Sequence, residues 1–164
     1  MLFRDAPDSM TGAHGRVAFY DIATFRNHRN ALTKTVMIST PINSDNAGNI
    51  YFGFVATGAN PAHVVSGIAR IDASGNGTWV SAASAAGDDG ILEVAQNCAP
   101  AISADQSTIY IAVSTQSSGY LLGLDSKTLK TKYKKRLIDP LSGEDAKISD
   151  DSSASLTVGP DGDV

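Results

Sequence analysis

Apolar and polar residues alternate with a period of two in five short runs: 16–21, 49–55, 67–72, 108–113 and 119–125. That period puts one face of a β-strand on a core and the other toward water. The runs are rich in β-branched and aromatic residues and are bounded by Gly, Asn, Asp and Ser. The helical signal is weaker. Its best stretch, 81–86 with 91–95, is interrupted by Gly87-Asp88-Asp89-Gly90. The pattern predicts an all-β chain.

The runs also repeat. Thr40-Pro41-Ile42-Asn43-Ser44 leads through Asn46-Ala47-Gly48-Asn49 into Ile50-Tyr51. Fifty-nine residues on, Ala99-Pro100-Ala101-Ile102-Ser103 leads through Asp105-Gln106-Ser107-Thr108 into Ile109-Tyr110. Ser155-Leu156-Thr157-Val158, then Pro160-Asp161-Gly162-Asp163 and Val164, begin a third copy. A second marker interleaves with the first: Tyr20-Asp21, Ile71-Asp72 and Leu124-Asp125 each close an alternating run. A polar turn and a further strand candidate follow each aspartate, over 25–33, 78–82 and 129–138.

One unit therefore reads as a four-stranded antiparallel meander. A lone sheet of this kind cannot hide its own apolar surface. Radial stacking of four-stranded blades solves that problem and predicts a β-propeller. A single β-sandwich is the plainer alternative, but it does not require a matched repeat. The chain then divides into six parts. Residues 1–38 are an N-terminal segment with the outer part of a first blade, and 39–82 are a second blade. Residues 83–97 are an inter-blade loop, 98–138 a third blade, and 139–153 another inter-blade loop. Residues 154–164 are the first strands of a fourth, truncated blade. Propellers close with 4–8 blades, so about three blades' worth reads as an incomplete propeller, a fragment whose missing blades belong to the same polypeptide.

Composition adds exclusions. The chain has 13 Lys and Arg against 17 Asp and Glu, a net charge of −4, which argues against a nucleic-acid surface. Gly, Ala, Ser and Thr make up 67 of 164 residues, as strands crowded near an axis would favour. No apolar run approaches the ~18 residues of a membrane span, and the first residues carry no signal-peptide pattern. Cys98 is the single cysteine, so no intramolecular disulfide is possible; with no His beside it, it reads as a small buried apolar residue.

The stretch from Ala99-Pro100-Ala101-Ile102-Ser103 through Thr108-Ile109-Tyr110-Ile111-Ala112-Val113 to Gly119-Tyr120-Leu121-Leu122-Gly123-Leu124-Asp125-Ser126-Lys127-Thr128 resembles one blade of the quinoprotein-like propellers, built from pyrroloquinoline-quinone-type repeats. In that family the third strand ends Leu-Asp, then x-x-Thr-Gly, with a Trp eight positions after the Asp. This chain keeps Leu124-Asp125 and Thr128, has Leu129 for the Gly and Tyr133 for the Trp. The preceding unit keeps Ile71-Asp72 and places Trp79 one residue early; the first keeps Tyr20-Asp21 and Thr24. The resemblance implies a periplasmic or secreted setting.

Asp21, Asp72 and Asp125 are expected to tie tight turns, with Thr assisting where present. An aromatic on the outer strand is expected to cover the seam between blades. Asp72-Ala73-Ser74-Gly75-Asn76-Gly77 matches the front of a calcium loop, with Asp72, Ser74 and Asn76 as oxygen donors. Position twelve, however, is Ala83, and the segment sits at the repeat's ordinary turn, so a hairpin loop is the expectation. Asn76-Gly77-Thr78 also matches a glycosylation sequon. Asp88-Asp89 and Asp150-Asp151 read as solvated loop charge. His14, His28 and His63 lack metal-ligand spacing. The basic run Lys127, Lys130, Lys132, Lys134, Lys135 and Arg136 reads as a charged edge that resists aggregation, with an anionic partner as the other reading.

The sequence therefore offers no catalytic, cofactor or metal residues. The leading expectation is a binding or scaffold module that meets a protein or small-molecule ligand through blade loops. The alternative is part of a quinone-dependent dehydrogenase, for which the resemblance would imply pyrroloquinoline quinone, calcium and a stacking Trp. A third class is an assembly or adhesion propeller. The long loops are 56–66, 83–97 and 139–153. The first lies within a unit and the others between units, so nothing in the sequence requires them to share a face.

Overall fold

The computed structural model describes residues 1–4, 10–115, 117–146, 148 and 154–164. The chain is mostly β-structure, with antiparallel pairing throughout the described sheets. No described helix is long and apolar enough to cross a membrane.

A small ribbon of β1 (Leu2–Arg4) and β2 (His14–Arg16) opens the chain. The strand expected over 25–33 is instead helical: α1 (Ile22–Asn27) and α2 (Arg29–Thr35). The cause is local. Asp21 acts as N-cap, its carboxylate accepting from the amides of Ala23 and Thr24, so the chain enters a helix where its counterparts enter a hairpin. Along both helices only Leu32 is buried, which gives a strand register nothing to hold.

Two sheets follow, of one plan. The first contains β3 (Val36–Ile38), β4 (Asn43–Ser44), β5 (Ile50–Ala56), β6 (Gly67–Ile71) and β7 (Gly77–Ser81). A five-residue helix, α3 (Ala82–Ala86), starts on the Ser81 hydroxyl and ends at Gly87 in the left-handed region. The second sheet contains β8 (Glu93–Val94), β9 (Ala101–Ile102), β10 (Thr108–Ser114), β11 (Gly119–Asp125) and β12 (Thr131–Arg136). Each is a four-stranded meander whose first strand is broken in two. β3 and β4 pair with opposite ends of β5, and β8 and β9 with opposite ends of β10.

Alternation explains the layering. Ile68 and Val80 of the first sheet meet Val94, Ile111, Val113, Leu122 and Leu124 of the second, with α3 and Leu129 closing the margin. Gly53 lets the sheets approach: a Cβ there would collide with Val94 and Thr40. The opposite face of the first sheet holds Phe52, Phe54, Ala69 and Ile71 against Phe19. The opposite face of the second packs Ala112, Ala95 and Cys98 against Ile148 and Leu156. The broken first strands stand in a row. Asn97 N donates to Ser39 O (2.9 Å), Asn43 Nδ2 to Pro100 O (3.0 Å) and Ala99 N to Ser155 Oγ (3.2 Å).

The turns 45–49 and 159–163 are of one kind. In 45–49 the amides of Asp45 and Gly48 bond Asn49 O and Asp45 O; in 159–163 those of Gly159 and Gly162 bond Asp163 O and Gly159 O. Gly48 and Gly162 take φ +80° and +91°, which favours glycine. The corresponding turn at 103–108 places Gln106 at φ 59°.

The outer-strand aromatics do not correspond. Trp79 pairs with Ala69 and meets Phe54 edge-on at 6.0 Å, on the face turned toward Phe19. Tyr133 pairs with Gly123 and lies on the other side of its sheet, 60% exposed. One residue of offset along a strand reverses the side chain's face.

Candidate functional site

A four-stranded meander sends alternate connections to opposite edges, and the two edges of this molecule differ. On one edge lie the tight turns 45–49, 72–76, 103–107 and 125–130, where aspartates are consumed by their own loops. Asp72 accepts from Ser74 N (2.9 Å), Asn76 N (2.8 Å) and Asn76 Nδ2 (3.1 Å), and these bonds hold its carboxyl below the usual range. Asp125 accepts from the amides of Lys127 and Thr128 and from the Thr128 hydroxyl (2.9 Å), as the Asp-x-x-Thr spacing predicts. Asp105 accepts from Ser103 Oγ (2.6 Å) and from Ser107 N and Oγ, which depress it to about 2. Burial works against Asp45, but donors from Asn49, Tyr51 and Ala47 outweigh it and lower its pKa.

Asp72, Ser74 and Asn76 therefore form a closed hairpin turn. Donors, rather than oxygens, converge on the Asp72 carboxylate, which does not suit calcium. Among the described residues no group of three or more His, Cys, Asp or Glu side chains could hold a metal ion.

The opposite edge carries the long connections that follow the second strand of the first sheet and the fourth strand of each sheet. Ala56, Gly67 and Ser81 lie at one end of the first sheet, through the pairs Val36↔Ala56, Phe54↔Gly67 and Gly67↔Ser81. Glu93, Ser114, Gly119 and Arg136 lie at the matching end of the second. Loops 57–66, 87–92 and 137–146 thus share an edge, a relation the sequence left unassigned. The even strand count dictates it, since loops after the second and fourth strands of a meander emerge together.

Each loop has its own internal frame. In 57–66 the Asn60 amide is buried, donating to Val64 O (2.8 Å) and accepting from Val64 N (3.2 Å). It supports an open hollow of about 490 Å³ with Val65 57% exposed. In 137–146 Asp139 accepts from Leu141 N and Ser142 Oγ, which presents Leu141 at the tip, 96% exposed. Leu92 and Ile138 are exposed on the same edge. None of the tight turns displays a large apolar side chain in this way.

Asp88 is not free solvated charge. It accepts from Gly90 N (2.9 Å) and from Tyr120 Oη (2.9 Å), tying the loop after α3 to the second sheet. The Gly90 amide and then the Tyr120 hydroxyl lower its pKa, and the same bond raises that of Tyr120. Nothing local signals this pair, because the partners are 32 residues apart. Asp89 is exposed beside it, while Asp150 and Asp151 lie outside the described residues.

Half of the basic run has structural work. Lys132 Nζ donates to Thr108 Oγ1 (2.9 Å), Lys134 Nζ donates to Ala86 O (2.7 Å) and sits 4.6 Å from the Tyr120 ring centre, and Arg136 pairs with Asp145. Thr131 Oγ1 donates to Ala85 O (2.5 Å), so β12 caps the C-terminus of α3. Cys98 is buried, and burial raises its thiol pKa. His14 lies on β2, His28 between the first helices and His63 in loop 57–66, three separate places.

No family model and no curated protein matches the chain. Among solved structures, a luciferin-regenerating enzyme aligns at 17% identity and a TM-score of 0.37. The alignment covers 64% of this chain and 31% of that one, so this chain spans about a third of that enzyme's length. So loose a superposition carries no information on fold or activity.

Proposed function

We propose that this chain is a stretch of a quinoprotein-like β-propeller that acts as a binding or scaffold module, with its ligand meeting the long-loop edge. One observation carries the reading of the edge: loops 57–66, 87–92 and 137–146, with Val65, Leu92, Ile138 and Leu141 exposed, emerge on one side, while the other side is closed by self-satisfied turns. The propeller reading is supported by two sheets of one plan stacked face to face and by first strands joined side by side through Asn97 N to Ser39 O and Asn43 Nδ2 to Pro100 O. A binding role fits better than the dehydrogenase alternative. Trp79, this chain's one tryptophan, packs edge-on against Phe54 within the first sheet's own aromatic cluster.

The test is selection of binding peptides from a random display library on the intact chain, followed by mapping. Peptides should lose binding to Val65→Asp and Leu141→Asp variants and retain it when Ala47 and Ala73, on the tight turns, are changed to Asp. Selected peptides that map to the tight turns, or equally to both edges, would contradict the assignment.

A further inference from the structure

The β1–β2 ribbon and the end of α1 bring cationic side chains together away from the loop edge. Residues paired across an antiparallel ribbon share a face. Leu2, paired with Arg16, therefore stands on the side that carries His14 and Arg16, while Phe3 covers Gly15 on the other side. Arg26 comes from the last turn of α1. Leu2, His14, Gly15, Arg16 and Arg26 together line an open hollow of about 360 Å³. His14 Nδ1 donates to Gly12 O (3.0 Å), which holds the ring and leaves Nε2 for a ligand.

Charge sets this region apart. Residues 1–38 hold five Lys and Arg against three Asp, a net +2 in a chain whose total is −4. One of those three, Asp21, is committed to the amides of Ala23 and Thr24. Among the described residues the one ion pair joins Arg136 to Asp145, so no described carboxylate neutralises Arg16 or Arg26. The carbonyl end of a helix favours a cation, which accounts for Arg26 alone but not for its meeting with Arg16 and His14. Two guanidinium groups at one hollow repel each other, and an anion between them turns that repulsion into attraction. Their planar forks match phosphate oxygens. Two forks and an imidazole suit the two charges of a phosphate monoester, and Leu2, 72% exposed, offers an apolar wall beside them. We infer that this hollow binds a phosphate monoester with an apolar substituent, through Arg16 and Arg26, with His14 as a third contact. The inference is independent of the loop-edge reading. Small soluble esters and the lipid phosphatidic acid both carry such a group.

The intact chain is titrated with phenyl phosphate, followed by amide chemical shifts. Separately, it is sedimented with vesicles of equal parts phosphatidylcholine and phosphatidic acid. Saturable binding is expected in at least one arm, with phenyl phosphate shifting the amides of residues 14–16 and 26. Phenyl phosphate alone identifies a soluble ester, vesicles alone the lipid, and both together the shared group. Arg16→Gln and Arg26→Gln should each weaken binding by about tenfold or more. Both arginines are exposed, so these variants should keep the parent's urea midpoint. Lys127→Gln and Lys130→Gln, on an exposed turn of the second sheet, should leave binding unchanged. Failure of both probes to bind overturns the inference. So does binding that survives both arginine substitutions or falls equally with the lysine ones. Binding matched by benzoate, or by phosphatidylglycerol in place of phosphatidic acid, overturns the assignment of a phosphate monoester. None of these outcomes bears on where selected peptides map, so the two proposals fail separately.

Discussion

At the scale of single residues, the recurring aspartates act as turn-builders. A carboxylate with three donors around it is tied to its loop and offers little to an outside cation or reacting atom. Asp105 is the clearest case, with its pKa depressed to about 2 by the Ser103 hydroxyl and by the Ser107 amide and hydroxyl. The unfolded chain holds that proton more tightly, near the ordinary value of about 3.9. The stabilisation is therefore complete above that value and is lost as the pH falls from about 4 toward 2. Urea unfolding midpoints should be flat above pH 5 and fall below pH 4, and Asp105→Asn should make that acid limb shallower, the other lowered aspartates keeping the rest. An acid limb unchanged by Asp105→Asn would mean that the turn's hydrogen bonds contribute nothing on balance.

At the scale of elements, two glycines in equivalent sheets separate packed from open faces. Gly53 lies beneath Val94 and Thr40, both buried, so Gly53→Ala should cost about 1–3 kcal/mol in overpacking. Gly123 lies beneath the exposed Tyr133 ring, which can swing aside, and beside Thr108 and Tyr110 at 3.3 Å, so Gly123→Ala should cost less than Gly53→Ala. Chemical denaturation of both variants checks the contrast, and equal costs would contradict the assignment of faces. This scale was also the most legible from sequence. Period-two alternation located β5, β6, β10 and β11, and the Asp-x-x-Thr spacing anticipated the bonds of Asp125 to Thr128. The segment 25–33 reads as a strand from sequence because Tyr20-Asp21 looks like the strand ends at Asp72 and Asp125, while its carboxylate caps a helix. Trp79 and Tyr133 looked interchangeable because spacing along a chain does not reveal a one-residue change of face.

At the scale of the whole molecule, what could not be read was long-range. The bond from Tyr120 to Asp88, the capping of α3 by Thr131 and Lys134, and the common edge of three long loops join residues with no local signature. They depend on which end of which sheet each segment reaches. The repeat was legible, because its markers recur at nearly fixed spacing. The sheet stacking follows from the need of each two-sided sheet to bury both faces, with neighbouring sheets about 10 Å apart. A radial arrangement adds a demand that a straight stack does not make: successive units must turn about an axis.

Spin labels at Asn46, Ala104 and Pro160, matching positions of three corresponding turns, test that demand directly in a Cys98→Ser background. The account predicts that the 46–104 and 104–160 separations agree and that the 46–160 separation is clearly shorter than their sum. Unequal neighbouring separations, or three tips in a straight line, would contradict it.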